Sequence, residues 1–154
     1  MLYLLVFFGF SIHTSLADLN LERIPSTNPP PKRRCYHIME YNSVTDQLII
    51  FGGFTAADAV YNNVWIFNIT ESQYHHLNPT NEIAPGSLYL DPRISPGGFI
   101  DTSSNMLYIF GGKTGRGLVN DMWKFDLVLL KWYQIELGGD YPPPMAFFGY
   151  QKVL

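Results

Sequence analysis

Few residues in this chain have the types and spacing that chemistry needs. Lys113-Thr114-Gly115-Arg116-Gly117 sets two cations on a glycine-rich stretch, the composition of an anion-binding loop. It lacks the Gly-Lys-Ser/Thr ending and the following helix that would wrap a nucleotide phosphate. Lys113 and Arg116 therefore stand as candidate contacts for an anionic partner, weighed against solvated charges on a hairpin tip. His75 and His76 are adjacent, so on a strand they point to opposite faces, and no carboxylate or Cys stands at ligand spacing. No metal, cofactor or catalytic group is expected. Cys35 is the single cysteine, so an internal disulfide is excluded. It reads as a small buried apolar residue rather than an intermolecular bridge. Asn68-Ile69-Thr70 is an acceptor triplet for N-glycosylation, whereas Asn78-Pro79-Thr80 is blocked by its proline.

The elements that must position these residues are legible as an internal repeat. Leu48-Ile49-Ile50-Phe51-Gly52-Gly53 returns as Leu107-Tyr108-Ile109-Phe110-Gly111-Gly112, 59 residues later. Asn62-Asn63-Val64-Trp65-Ile66-Phe67-Asn68 returns as Asn120-Asp121-Met122-Trp123-Lys124-Phe125-Asp126 at an offset of 58. Seven residues after each Phe comes an aromatic, Tyr74 and then Trp132, and Arg34 and Arg93 each stand 18 residues before their Gly pair. Each copy reads as four short strands, predicted at 35–41, 47–52, 63–68 and around Tyr74, then at 96–101, 106–111, 121–126 and 131–136. The apolar run before each Gly pair suits a strand covered on both sides. The period-two placement of Trp65 and Phe67 suits a strand packed through one face. Glycine alone tolerates positive φ and the close approach of another backbone, so the Gly pairs mark a crowded turn. The aromatics fill the wedge between neighbouring sheets. A sheet apolar on both faces must be sandwiched between copies of itself.

The combined pattern resembles the kelch repeat: four apolar residues, Gly-Gly, an aromatic in the third strand and a Trp about seven residues on. The repeat residues are Gly52, Gly53, Trp65, Phe67 and Tyr74, then Gly111, Gly112, Trp123, Phe125 and Trp132. Phe67 and Phe125 stand where Tyr is common, Tyr74 replaces Trp, and Pro96-Gly97-Gly98 interrupts a first strand. The resemblance implies an all-β fold of kelch-type β-propeller blades. Repeat 1 is placed at 34–92, repeat 2 at 93–141 and the start of a third at 142–154, where Phe147 matches Tyr36. Propellers close with about four to eight blades, so the ring is expected to be incomplete. The chain would then be part of a longer product, or would self-associate if complete. With the four strands of each copy called a, b, c and d in chain order, alternation of strand direction puts the b–c and d–a loops on one face, which carries Lys113 and Arg116. Asn68 lies on a c–d turn of the other. Kelch domains often bind through the first face, so the resemblance implies a protein or glycan partner there. An enzyme is the alternative, an oxidase or sugar-modifying propeller, and a non-functional truncated product is the third reading. A copper radical site would need Tyr and His ligands and a thioether-forming Cys. Cys35 is the only thiol, and no His cluster accompanies it.

Composition narrows the partners. The chain has 154 residues, 47% of them apolar, so it can bury a core. Aromatics reach 16%, which favours strands. With 15% charged residues and a net charge of −3, nothing draws it to nucleic acid or an anionic membrane. Lys32-Arg33-Arg34, beside three prolines in the Pro-rich segment 18–33, reads as solvated. Leu2 to Phe10 is nearly unbroken apolar sequence, shorter than the roughly twenty residues of a membrane span. With Ser15-Leu16-Ala17 behind it, residues 1–17 read as a secretory signal peptide cleaved after Ala17, although Met1 to Phe10 carries no Lys or Arg; a buried first strand or an uncleaved anchor is the alternative. A secreted or luminal glycoprotein with no membrane span in its mature chain is the expectation.

Overall fold

The computed structural model describes residues 4–7, 10–15, 18–79 and 90–149, with side chains from Ile24 onward. Leu16 and Ala17 before the expected cleavage point, residues 80–89 of the first d–a loop and the chain after Gly149 lie outside the described residues. All described regular structure is β. Three short strands, β1 (Leu4–Phe7), β2 (Phe10–Ser15) and β3 (Asp18–Arg23), form an antiparallel sheet that, among the described residues, pairs with neither blade.

Two four-stranded antiparallel sheets follow, each ordered as a simple meander. The first comprises β4 (Ile38–Asn42), β5 (Gln47–Phe51), β6 (Val64–Asn68) and β7 (Gln73–Leu77). The second comprises β8 (Gly97–Asp101), β9 (Met106–Thr114), β10 (Gly117–Asp126) and β11 (Lys131–Ile135). This is the blade architecture that the repeat implies. The turns between strands a and b follow from local chemistry: Asn42 Oδ1 accepts from the N–H groups of Val44 and Thr45. In the second unit, Asp101 accepts from the Ser103 N–H and from both hydroxyls of Ser103 and Ser104.

The core lies between the two sheets. Ile38, Ile49, Phe51 and Val64 of the first face Ile100, Leu107, Ile109, Phe125 and Trp132 of the second. Trp132 is the wedge, its ring 5.3 Å from Phe51 across the interface and 4.7 Å from Phe125 within its own sheet. Gly98 is required here, because a Cβ would lie 2.7 Å from the Tyr108 carbonyl oxygen as well as 2.5 Å from Ile38 Cδ1 of the neighbouring blade. The Pro96-Gly97-Gly98 segment thus joins the ladder from Gly97 and gives the neighbouring blade room. Phe99, Tyr108, Phe110 and Met122 line an apolar cavity of about 180 Å3, which Phe148 of the next repeat enters.

The outer edge of the first blade is closed from the Pro-rich segment. Asn28 donates its amide to Tyr74 O at 2.6 Å and accepts from Tyr74 N at 2.8 Å, while Thr27 N donates to Ser72 O. One asparagine side chain satisfies both outward-facing groups of an edge-strand residue.

Three strand boundaries differ from the sequence-based expectation by more than one residue. Strand a of the first blade begins at Ile38, not residue 35, because the preceding backbone is committed elsewhere. Cys35 exchanges both hydrogen bonds with Phe54, and Tyr36 O accepts from Ser95 N. Cys35 is also exposed rather than buried. In the second blade, strands b and c run on through Lys113 to Val119, expected as a loop, and meet at a two-residue turn, Gly115-Arg116. The extra length is absorbed by an irregularity between Val119 and Met122.

Candidate functional site

The b–c and d–a ends of the two blades meet at one face, and the same three backbone bonds join them at each step. Gly53 N donates to Arg93 O and Gly112 N to Met145 O; Arg93 N donates to Tyr61 O and Met145 N to Val119 O; Ser95 N donates to Tyr36 O and Phe147 N to Ser95 O. The Gly pair is where this stitching occurs. Gly52 and Gly53 have φ of 71° and 85°, and a Cβ on Gly53 would lie 2.7 Å from Cys35 O. Gly111 is at 62° with Met145 O 2.8 Å from a Cβ.

Beneath the Gly pairs sit two buried arginines. Arg34 Nη1 donates to Gly52 O at 3.1 Å and Arg93 Nη1 to Gly111 O at 2.9 Å, which is the meaning of the repeated 18-residue spacing. Their Nε atoms close on Lys32 O and Asp91 O. Arg93 also holds both oxygens of Asp121, at 2.7 and 2.9 Å, and Trp123 Nε1 donates to the same carboxylate at 2.6 Å. Burial alone would raise the Asp121 carboxyl, but its bonds to Arg93, the guanidinium charge and the Trp123 bond outweigh it and hold the group below the usual carboxylate range. In the first blade Asn63 takes that place. Its Oδ1 accepts from Arg34 at 2.7 Å, and Trp65 Nε1 is buried without a partner among the described residues.

The residues at the mouth form an aromatic corner. Tyr36, Ser95 and Phe147 are equivalent positions of successive repeats, all with left-handed backbones, at φ of 56°, 49° and 60°. Tyr36 stacks on Phe54 at 5.7 Å and meets Phe147 edge-on at 5.2 Å. Yet Tyr36 is 52% and Phe147 58% exposed, so these rings are held in place without being covered. A left-handed conformation costs a bulky residue on the order of 1–2 kcal/mol and persists only where the surroundings impose it.

The two candidate cations separate. Lys113 is exposed on β9, its backbone paired in both directions with Ile94, next to Ser95. Arg116 at the turn is tied to Asp91 at 2.6 Å, and that bond raises its pKa further. It is a surface ion pair rather than a free charge. The histidines diverge as strand geometry requires: His76 packs against Trp65 at 4.8 Å, while Glu71 comes within 3.4 Å of His75 across the c–d turn, a contact that strand spacing alone does not anticipate. No three potential metal ligands gather among the described residues. Asn68 closes the c–d turn on the far side, its Oδ1 accepting from Glu71 N.

The aromatic corner was not singled out from the sequence. Its signal was present in the Arg-x-Tyr of 34–36, the Arg-x-Ser of 93–95 and the alignment of Phe147 with Tyr36, but only the fold shows that these positions adjoin.

The Arg34 charge also reaches two histidines. Desolvation first, and Arg34 second, lower the pKa of both His37 and His76. The folded protein therefore resists protonation that the unfolded chain accepts below about 6.5. Stability is expected to be flat above that pH and to fall as pH drops through and below it. Thermal melts from pH 7.5 to 5 check this, and a double His37→Asn, His76→Asn variant should flatten the slope.

The family model described as the KLHDC2/KLHL20/DRC7 Kelch-repeats domain matches residues 10–151. No curated protein matches the chain.

Proposed function

The chain belongs to the kelch-repeat family, whose domains are protein-interaction modules, and from this we propose that it binds a protein partner through its b–c and d–a loop face, centred on Tyr36, Phe54 and Phe147. The observation that carries the reading is the pair of rings held exposed on left-handed backbones. Rigid aromatics supply large contact area at little entropic cost, and interface cores are enriched in them. Lys113 beside Ser95 adds a cation at the margin of the patch, whereas Arg116 is engaged by Asp91.

The test separates recognition from folding. Tyr36→Gly removes the ring while suiting the φ of 56°, so the melting temperature should stay within about 2 °C. Peptides selected against the wild-type protein from a displayed library should lose at least about 30-fold in affinity for Tyr36→Gly or Phe147→Ala, the loss of a hot-spot side chain of about 2 kcal/mol. They should bind a Val128→Ser, Leu129→Ser control on the opposite face unchanged. Equal affinity for all variants would remove the face assignment.

We further propose that the protein enters the secretory pathway, is cleaved after Ala17 and carries a glycan at Asn68. The apolar run from Leu2 to Phe10 and the Ser15-Leu16-Ala17 sequence support this, as does the self-contained pairing of β1–β3: losing β1 and β2 breaks no ladder of either blade. A glycan at Asn68 would leave the aromatic face clear. Mass spectrometry of the protein from secreting cells should give Asp18 at the amino terminus and a mass that falls on deglycosylation. An intact Met1 or an unmodified Asn68 counts against the respective statement.

A further inference from the structure

Blade 2 shows what a buried arginine at this position takes when its needs are met: two carboxylate oxygens, one on each terminal nitrogen. Blade 1 has the same arginine in the same place without the carboxylate. Arg34 is 5% exposed, and its partners are the Lys32 and Gly52 carbonyls, the Asn63 amide oxygen and the face of the Tyr61 ring, 4.4 Å from the guanidinium carbon. All are neutral. These bonds use the Nε hydrogen and both Nη1 hydrogens. Nη2 bonds no described residue and is not among the sealed polar atoms. Among the described residues, this buried cation with two donors still open, on the binding face, is unsatisfied in charge and in hydrogen bonding at once. Lys32 and Arg33, both exposed, immediately precede it.

We propose that Arg34 Nη2 is an anion site that receives the side-chain carboxylate of an acidic residue on the bound protein, supplying from outside what Asp121 supplies within the second blade. The two Nη2 hydrogens can be accepted by a carboxylate, and a charge-assisted bond in a partly desolvated site is stronger than a neutral one. Asn63 is then the residue that keeps the site open, since Asp in its place would fill it from within. The proposal rests on the loop-face reading for where the partner lies, and its test reports on the arginine alone. It can fail while the Tyr36 and Phe147 variants still lose their partner, and the reverse.

The experiment follows the Arg34 Nε–H signal by nuclear magnetic resonance in the full chain. The probes are two capped tripeptides, acetyl-Gly-Glu-Gly-amide and acetyl-Gly-Gln-Gly-amide, at matched ionic strength. The glutamate peptide is expected to move the Arg34 signal saturably, and the glutamine peptide to leave it in place. In Asn63→Asp the signal should start displaced and lose its response to the glutamate peptide. Equal responses to both peptides, no response to either, or an unchanged response in Asn63→Asp overturns the proposal. Should Asn63→Asp fail to fold, the wild-type comparison of the two peptides decides.

Discussion

Replacing Asp121 by Ala is expected to destabilise the protein by about 3–5 kcal/mol, the cost of leaving a buried charge without its partner. Arg93 is 1% exposed and loses both carboxylate oxygens, and Trp123 Nε1 loses its 2.6 Å bond in the same step. Asp121→Asn should cost less, about 2 kcal/mol, because one amide oxygen can still serve one of the two donors. The first blade already lives in that state, with Asn63 on Arg34 and Trp65 Nε1 without a partner among the described residues. The reciprocal change, Asn63→Asp, is therefore expected to stabilise the protein by about 1 kcal/mol, since it gives Trp65 an acceptor and Arg34 a counter-charge. Urea unfolding of the three variants checks the series. A loss below about 1 kcal/mol for Asp121→Ala would mean that Arg93 finds another anion.

Trp132→Ala is expected to cost about 3–5 kcal/mol as well, through a cavity rather than a charge. The indole is 3% exposed and touches Phe51 of the first blade and Phe125 of its own, so its removal opens the interface itself. Its repeat equivalent, Tyr74, packs against Phe67 at 4.6 Å on the side of the first blade turned away from the second, and remains half-buried. Tyr74→Ala should therefore cost only about 1–2 kcal/mol. Because neighbouring blades couple mainly through their shared interface, Trp132→Ala should also broaden the unfolding transition more than Tyr74→Ala does. Equal losses at the two positions would contradict the assignment of Trp132 as the inter-blade wedge.

Within a repeat, much was legible. Alternation of side chains placed Trp65 and Phe67 on the third strand, and the apolar run before Gly52-Gly53 placed the second, because strand period and turn chemistry are properties of a few adjacent residues. The site was less legible. Their spacing pairs Lys113 with Arg116, yet Arg116 is held by Asp91, 25 residues away in sequence. Tyr36 was read as part of a first strand, and its backbone is instead turned out at φ 56° by bonds to a neighbouring repeat. Cys35 was read as buried for its apolar character, and it is exposed because that stretch pairs with the Phe54 loop at the rim.

The amino-acid sequence by itself determined the repeat, the four-strand unit and the place of the Gly pairs, since each follows from contacts formed within about sixty residues. The tertiary structure alone decided which copies meet. The Ser95 bond to Tyr36, the contact of Trp132 with Phe51 and the edge-on meeting of Tyr36 with Phe147 all join different repeats. Such contacts depend on how one sheet is rotated against the next, and that rotation is set by the summed packing of both faces rather than by any local run of residues.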